Sequence, residues 1–169
     1  MSIYGFGASY GGTEDVTSYF LQLGVACSGW EPSTAPTATA SPHDGDAPFI
    51  EATLRGVRIG DIAFIKSFSP GSGLRIKGVG LVIDSRPHEI DTGAGYLVGQ
   101  IWPGEKRLGT GVKVRWTWPD VQDGSVYWHV PKLTDRGTNM RTGTIYEEHG
   151  PEVAAIVMEL LLDPTLRQG

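Results

Sequence analysis

Two polar residues interrupt an apolar stretch near the middle of the chain. The segment 62–68 reads IAFIKSF, and Lys66 and Ser67 stand where a strand would be most buried. A lysine in such a place must be paired, must reach solvent through its long stem, or must bind a ligand. The serine hydroxyl both donates and accepts hydrogen bonds, so it could bind a polar group of a ligand. These two residues are the first candidates for a binding site.

Four basic residues follow the same spacing on two other stretches. Arg75 and Lys77 are two residues apart, and Lys113 and Arg115 repeat that spacing. Residues two apart on a strand point to one face of a sheet. The two pairs could form a track for phosphate groups, or they could form an ordinary solvent-exposed face. The spacing leaves both alternatives open.

The five tryptophans divide into core residues and candidates for ligand contact. Trp116 and Trp118 share one face of the alternating segment GVKVRWTW with two valines, which predicts core packing, and Trp128 on a short strand receives the same interpretation. Trp30 lies between a helix end and a polar loop, and Trp102 ends a strand beside a turn. No periodic apolar stripe includes these last two, so they could contact a planar ligand.

A hairpin must position these residues. The segment 57–84 reads VRIGDIAFIKSFSPGSGLRIKGVGLVID, with two apolar runs around a turn of Ser, Pro and Gly. Neither run has a polar face, which predicts strands covered on both sides, inside a barrel or beneath a helix. Gly78 and Gly80 interrupt the second run and predict a bulge, a bend or a close approach of another group.

The rest of the chain predicts more strands and a few short helices. Apolar spacing predicts helices over 14–23, 47–54 and from Pro151 onward, whereas alternating segments predict strands over 2–8, 95–102, 111–118, 125–130 and 143–147. We expect loops at 85–93, 104–109 and 133–142, and a mobile acidic loop at 32–47. This order predicts an α+β fold, a small mixed β-barrel of about six strands flanked by two or three short helices, with residues 1–169 as a single domain.

Composition narrows the functional classes. The net charge of −5 argues against a general nucleic-acid binder, yet residues 55–115 hold ten basic and five acidic residues inside an otherwise acidic chain. No apolar run is long enough for a membrane span, and because the first residues lack a basic segment followed by an apolar one, we expect no signal peptide. The single Cys27 excludes an internal disulfide and fits a reducing, cytoplasmic compartment. The scattered His residues predict no metal site, and nothing in the sequence indicates a cofactor.

Four blocks in order resemble one known family. They are GASYGGTED followed by a helix and GVACSGW, the hairpin segment 57–84, GVKVRWTW, and GTIYEEHGPEVAAIVMELL. The chain resembles the EVE-like branch of the PUA superfamily, which is related to YTH domains. Members of that family bind modified nucleobases in a pocket on a small β-barrel. One departure is Ala26, where relatives often carry a tryptophan directly after the Gly-Val pair.

The resemblance implies a base pocket and its residues. The loop after the first strand would contribute Ser9 and Tyr10, the loop after the first helix Cys27 and Trp30, the hairpin Lys66, Ser67 and Phe68, and a later strand Trp102. Aromatic walls would stack on a base that has been turned out of its helix. Phosphates would be held by Arg75, Lys77, Lys113 and Arg115.

The leading hypothesis is a reader without chemistry of its own. It would bind a modified base in DNA, or alternatively in RNA, in the manner of modification-dependent restriction or defence systems. The chain shows no nuclease or NTPase motif, so any cleavage would come from an effector acting in trans. A second hypothesis is an amidohydrolase acting on acylated nucleosides, similar to the related ASCH branch, with Lys66 as the reactive amine, Ser67 in place of a threonine and Glu51 as the nearest carboxylate. A third is a protein-interaction module that uses the acidic surface.

Overall fold

The computed structural model describes residues 1–10, 14–28, 47–69, 71–91, 107–133 and 144–169. Several sequence-based expectations lie outside these ranges. They are the loop at 32–47, the strand at 95–102, the loop at 133–142 after its first residue, and the side chains of Trp30 and Trp102.

Nine strands and three helices make up the described chain. The strands are β1 (Ile3–Gly7), β2 (Ser9–Tyr10), β3 (Glu14–Asp15), β4 (Val25–Ser28), β5 (Ile62–Ser69), β6 (Gly73–Asp91), β7 (Arg107–Trp118), β8 (Trp128–Val130) and β9 (Ile145–Glu147), and the helices are α1 (Thr17–Leu23), α2 (Ala47–Gly56) and α3 (Pro151–Leu162). The predicted α+β class is confirmed.

The main sheet is a curled half-barrel. Its hydrogen-bonded path runs β4-β7-β6-β5-β1-β9, and β8 pairs with the first part of β6. The β1–β5 pair is parallel, whereas the other pairs of this sheet are antiparallel. Strands β2 and β3 form a separate two-stranded sheet. The strands β4 and β9 end the path within the described residues, so this part of the chain curls without joining its two ends.

The predicted hairpin is confirmed, but its second strand is longer than expected. Strand β6 continues through the segment 85–91, which the sequence analysis assigned to a loop, and β7 begins at Arg107, inside the turn expected at 104–109. The two strands pair as far as Asp91 opposite Arg107, with several register shifts. Polar residues are poor strand formers on average, and long-range pairing overrides that preference here.

One helix begins later than expected, whereas α2 and α3 begin at Ala47 and Pro151 as predicted. Glu14 and Asp15 form β3 rather than the first turn of a helix, so α1 begins at Thr17. Gly24 ends α1 in a left-handed conformation with φ of 65°, as its glycine predicts. Helix α3 has Pro151 in its first turn, where the missing N–H costs nothing.

The core has two parts, one on each face of the sheet. Ala63 and Ile65 of β5 belong to a first cluster with residues of α1 and α2, whereas Ile62 and Phe64 belong to a second cluster with residues of α3. The prediction of a strand buried on both sides is therefore confirmed. We call these the first face and the second face of the sheet.

The interior glycines of β6 have the roles that the sequence predicts. Ile65 pairs with Gly78 and the next residue, Lys66, pairs with Ile76, so the residue between them forms a bulge on β6. A Cβ on Gly80 would lie 2.3 Å from the carbonyl oxygen of Arg115. Gly80 thus permits a backbone approach that no other residue could make.

Candidate functional site

The carboxyl ends of the parallel strands β1 and β5 lie side by side. Gly7 pairs with Lys66, and the next amide, that of Ala8, donates to the Lys66 carbonyl over 3.4 Å. The backbone of β2, which begins at Ser9, therefore follows directly beside the end of β5. The fold brings these predicted site segments together although more than fifty residues separate them.

Alternation along β5 separates the two residues that the sequence singled out. Phe64 and Phe68 pack with the second cluster, and Lys66, which has the same parity, contacts that cluster too. Ser67 has the parity of Ile65, which belongs to the first cluster. The prediction that one pocket contains both the Lys66 ammonium and the Ser67 hydroxyl is therefore wrong, because neighbouring strand residues point to opposite faces.

On the second face, the Lys66 side chain is 3% exposed and lies against an aromatic ring. Its Nζ is 5.5 Å from the centroid of the Tyr146 ring, a cation–π contact. The same ring meets Phe64 edge to face at 6.1 Å. Gly5 provides the space for this ring, since a Cβ there would be 2.6 Å from Tyr146 Cε1. A Cβ on Gly7 would be 3.8 Å from Lys66 Nζ.

A buried carboxylate completes this group. The Tyr146 hydroxyl donates to Glu148 Oε2 over 2.8 Å, and the amide of Gly150 donates to Glu148 Oε1 over 2.7 Å. Glu148 thus joins β9 to the beginning of α3, where the helix dipole favours negative charge. We call Lys66, Tyr146 and Glu148 the tyrosine cluster. A cation and an anion are buried at the two ends of one aromatic side chain.

The first face carries a different set of polar residues. Ser67 pairs with Arg75 on β6, and Arg75 pairs with His129 on β8. Arg75 Cζ also lies 5.2 Å from the centroid of the Tyr127 ring. Directly paired residues of an antiparallel ladder share a face, so these side chains form one row across three strands. We call Ser67, Arg75, Tyr127 and His129 the arginine row.

Lys77 differs from the other predicted phosphate ligands because it is already paired. Its Nζ lies 2.6 Å from Asp15 Oδ2, and its side chain is 11% exposed against 52% for Asp15. The ion pair connects β3 to the bulge of β6. Burial raises the pKa of the Asp15 carboxyl, but hydrogen bonds from Lys77 and Thr17 outweigh that effect and hold the pKa below its usual value.

This ion pair predicts a pH-dependent stability. A carboxyl whose pKa is lowered on folding stabilises the fold above its unfolded pKa of about 3.9, and the contribution is lost as pH falls through the lower folded value. We expect Lys77→Met to reduce the free energy of unfolding at pH 7 by at most about 1 kcal/mol. About half of the Asp15 side chain is exposed, so solvent screens its charge. Urea unfolding at pH 7, 5 and 3 should show this difference shrinking below about pH 4.

The matched control for that experiment is Lys132→Met, since Lys132 is exposed. It should change the unfolding free energy little at any of the three pH values. A Lys77→Met effect of equal size at pH 7 and pH 3 would contradict the assignment of the stabilisation to the Asp15 charge.

The remaining predicted site residues that the structure describes differ in their surroundings. Cys27 is fully buried in the first cluster, with Sγ 3.8 Å from the Leu108 carbonyl oxygen, so it is a core residue rather than a pocket edge. Phe68 is half-buried against the second cluster, and Ser9 is exposed. The side chain of Tyr10, like Trp30 and Trp102, lies outside the described part.

The four predicted phosphate ligands do not form one continuous track. Lys113 and Arg115 are both exposed on β7. Arg115 pairs with Leu81, which packs against the second cluster, whereas Arg75 lies on the first face.

Trp116 and Trp118 are both buried, so the prediction of core packing is confirmed. The prediction that they share one face is wrong, because Trp116 belongs to the first cluster and Trp118 to the second. A register shift between these two residues changes the alternation of β7.

The sequence analysis missed four residues of these two groups. They are Tyr127, His129, Tyr146 and Glu148. Pro151 is a helix-start signal, and Glu148, three residues before it, could have been found from that signal. The other three become neighbours of the predicted residues only because distant strands pair in the sheet.

Comparisons with known proteins assign no family and no function to this site. No protein-family model matches the chain, and no curated protein matches it. In the described ranges, no group of three or more His, Cys, Asp or Glu side chains could hold a metal ion. Of the helices in those same ranges, none has both the length and the apolar composition to cross a bilayer.

Proposed function

We propose that this chain is a non-catalytic reader of a modified nucleobase, built on a PUA-like fold. The recognised base would belong to DNA, or in the alternative to RNA, and a nuclease or other effector would act in trans. The observation that carries the proposal is the direct pairing of Ser67 with Arg75 on the first face, beside the adjoining ends of β1 and β5.

The chemistry of this pair suits a base and its phosphate. Ser67 is half-buried, so its hydroxyl can read one polar edge of a base that has been partly removed from water. Arg75 is exposed, and a guanidinium binds phosphate through two parallel hydrogen bonds. Turning a base out of its stack costs a few kcal/mol, which aromatic stacking at about 1–3 kcal/mol per base can offset. The excess of basic residues within 55–115 would favour approach of a polyanion.

The tyrosine cluster supports the site from the opposite face. Lys66 is buried against Tyr146 and so holds the end of β5 against β9. In this proposal Lys66 is a positioning residue, and Ser67 on the same strand contacts the ligand. Ser9, which begins the β2 backbone beside them, would border the site.

Fluorescence anisotropy with matched oligonucleotides tests the proposal. Single strands and duplexes with 5-methylcytosine, 5-hydroxymethylcytosine or N6-methyladenine would be compared with unmodified strands of the same sequence. We expect at least one modification to bind at least tenfold more tightly, and Ser67→Ala to lower that preference about fivefold, the loss of roughly one hydrogen bond. Equal affinity for all strands would overturn the proposal.

Ser85→Ala is the control variant for Ser67→Ala. Ser85 is also a half-buried strand serine, and it stands ten residues beyond Arg75 on β6, or roughly 33 Å at the rise of an extended strand. It should leave the preference unchanged.

A second candidate function is an amidohydrolase that acts on acylated nucleosides. The observation in its favour is Glu148, a buried carboxylate that shares the tyrosine cluster with the Lys66 amine. Glu51, the carboxylate that the sequence offered, is instead paired with Arg55 on α2 at 2.7 Å. Release of acetate from N4-acetylcytidine by the wild type, abolished in Lys66→Met, would favour this candidate over the reader.

A further inference from the structure

We propose that Tyr127 and Arg75 form a second nucleotide subsite, which holds the neighbour of the recognised base. The Tyr127 ring would stack on the flanking base, and Arg75 would bind the phosphate between the two nucleotides. This inference rests on the proposed function, because Arg75 lies between Ser67 and Tyr127 in the arginine row.

Arg75 differs from the other described arginines in its contact with an aromatic ring, and it shares with Arg115 the lack of an ion pair in the part of the chain that the structure describes. Arg55 and Arg86 bind the carboxylates of Glu51 and Asp84, and Arg167 binds Asp120. Arg75 Cζ instead lies 5.2 Å from the centroid of the Tyr127 ring, and within the described residues Arg75 makes neither an ion pair nor a hydrogen bond. Its N–H donors therefore remain available for a phosphate.

Tyr127 is an exposed aromatic residue with a neighbour on one side. Tyr127 is 46% exposed, so a ligand can reach its ring. The neighbour is Arg75, whose Cζ lies 5.2 Å from the centroid of the ring. An arginine and a tyrosine side by side offer the two kinds of surface on which proteins stack unpaired bases.

The backbone that carries Tyr127 is held in place before any ligand binds. The side-chain amide of Gln168 accepts from the His129 amide over 2.7 Å and donates to the His129 carbonyl over 2.8 Å, as a further strand would do. The His129 ring is 2.7 Å from the Ser72 carbonyl oxygen through Nε2, which must donate because the carbonyl only accepts. The C-terminal segment and the hairpin turn thus hold β8 from both edges. Such preorganisation lowers the entropy lost when a flexible strand binds.

A single-stranded segment is the occupant that this geometry fits. Stacking on an exposed ring requires an unpaired base, and the proposed reading of a flipped base already unpairs that region. The subsite has one cation and one ring, which matches one phosphate and one base. A protein ligand with a phosphorylated side chain could bind Arg75, but it has no purine or pyrimidine to stack beside it.

Two flank designs separate the stacking from the phosphate contact. Strands with the preferred modification would carry either a normal nucleotide or an abasic nucleotide on each side of it. We expect Tyr127→Ala to weaken binding of the normal flank about tenfold and to leave the abasic flank unchanged within twofold, because stacking needs a base. We expect Arg75→Ala to weaken both, and to reduce the slope of log K against log salt by about one, because one phosphate contact is lost. Tyr127→Ala should leave that slope unchanged.

The controls keep the two proposals separable. Arg55→Ala removes an exposed guanidinium elsewhere on the chain and should leave the salt slope as it is. A Tyr127→Ala variant that binds normal and abasic flanks like the wild type, while the wild type still prefers the modified strand, would overturn the subsite and leave the reader standing. A wild type without any preference for modification, whose binding still depends on Tyr127 and the flanking base, would overturn the reader alone.

Discussion

Gly80→Ala is expected to destabilise the protein by about 4 kcal/mol or more, a large share of the ~5–15 kcal/mol that stabilises a typical domain. The added Cβ would lie 2.3 Å from the Arg115 carbonyl oxygen and 2.7 Å from Trp116 Cα. Both are backbone atoms of β7, so no side-chain rotation relieves the contact and the β6–β7 ladder must separate locally. Urea unfolding followed by tryptophan fluorescence would measure the loss.

Gly71→Ala provides the matched control for this substitution. Gly71 lies in the turn before β6, where a Cβ would meet nothing within 4 Å. Its effect should stay within about 0.5 kcal/mol. If Gly80→Ala fell within 1 kcal/mol of the wild type, the close approach of β6 and β7 would be contradicted.

Lys66→Ala is expected to cost about 3 kcal/mol, the second largest effect. The substitution removes a buried four-carbon stem and leaves a cavity beside Tyr146. Lys66→Met keeps most of that volume and should cost less than about 1.5 kcal/mol, because replacement of a buried charge by a similar apolar side chain is often nearly neutral. Comparison of the two variants by urea unfolding separates stem packing from charge.

The same two variants also test whether Lys66 contacts the ligand. Lys66→Met should retain the preference for a modified strand within twofold if Ser67 contacts the base. If a folded Lys66→Met protein lost the preference for a modified strand, we would conclude that Lys66 contacts the base. Lys132→Ala, which removes an exposed lysine outside the predicted site, serves as the control for the loss of one positive charge.

The sequence predicted the central hairpin and the shared face of Val112, Val114 and Trp116 well because both depend on local periodicity. The register shift that moves Trp118 to the other face comes instead from pairing with β6. Apolar residues on both faces of β5 indicated burial on both sides, and Gly80 indicated a close approach. Strand length was harder to predict, since the segment 85–91 is polar and has little strand preference of its own. Its pairing comes from β7, which begins at Arg107, so the signal for that strand lies far away in the chain.

The candidate site was predicted only in its parts. Lys66, Ser67 and Arg75 could be found from residue type and spacing, but their distribution over two faces required a strand register. The partners Tyr146 and His129 lie 80 and 54 residues beyond Lys66 and Arg75, respectively. Neither residue type is unusual in its own segment. Only the order of strands in the sheet makes them neighbours.

Strand β6 has neighbours on both edges along much of its length. Leu74 and Ile76 pair with both β5 and β8, and Val79 and Gly80 pair with both β5 and β7. Each amide proton there belongs to one ladder, but successive amides alternate between the two edges of the strand, so the segment as a whole is released only when both ladders open. The centre of β6 should therefore exchange at the rate of global unfolding, and any protease able to cut it must wait for the same event.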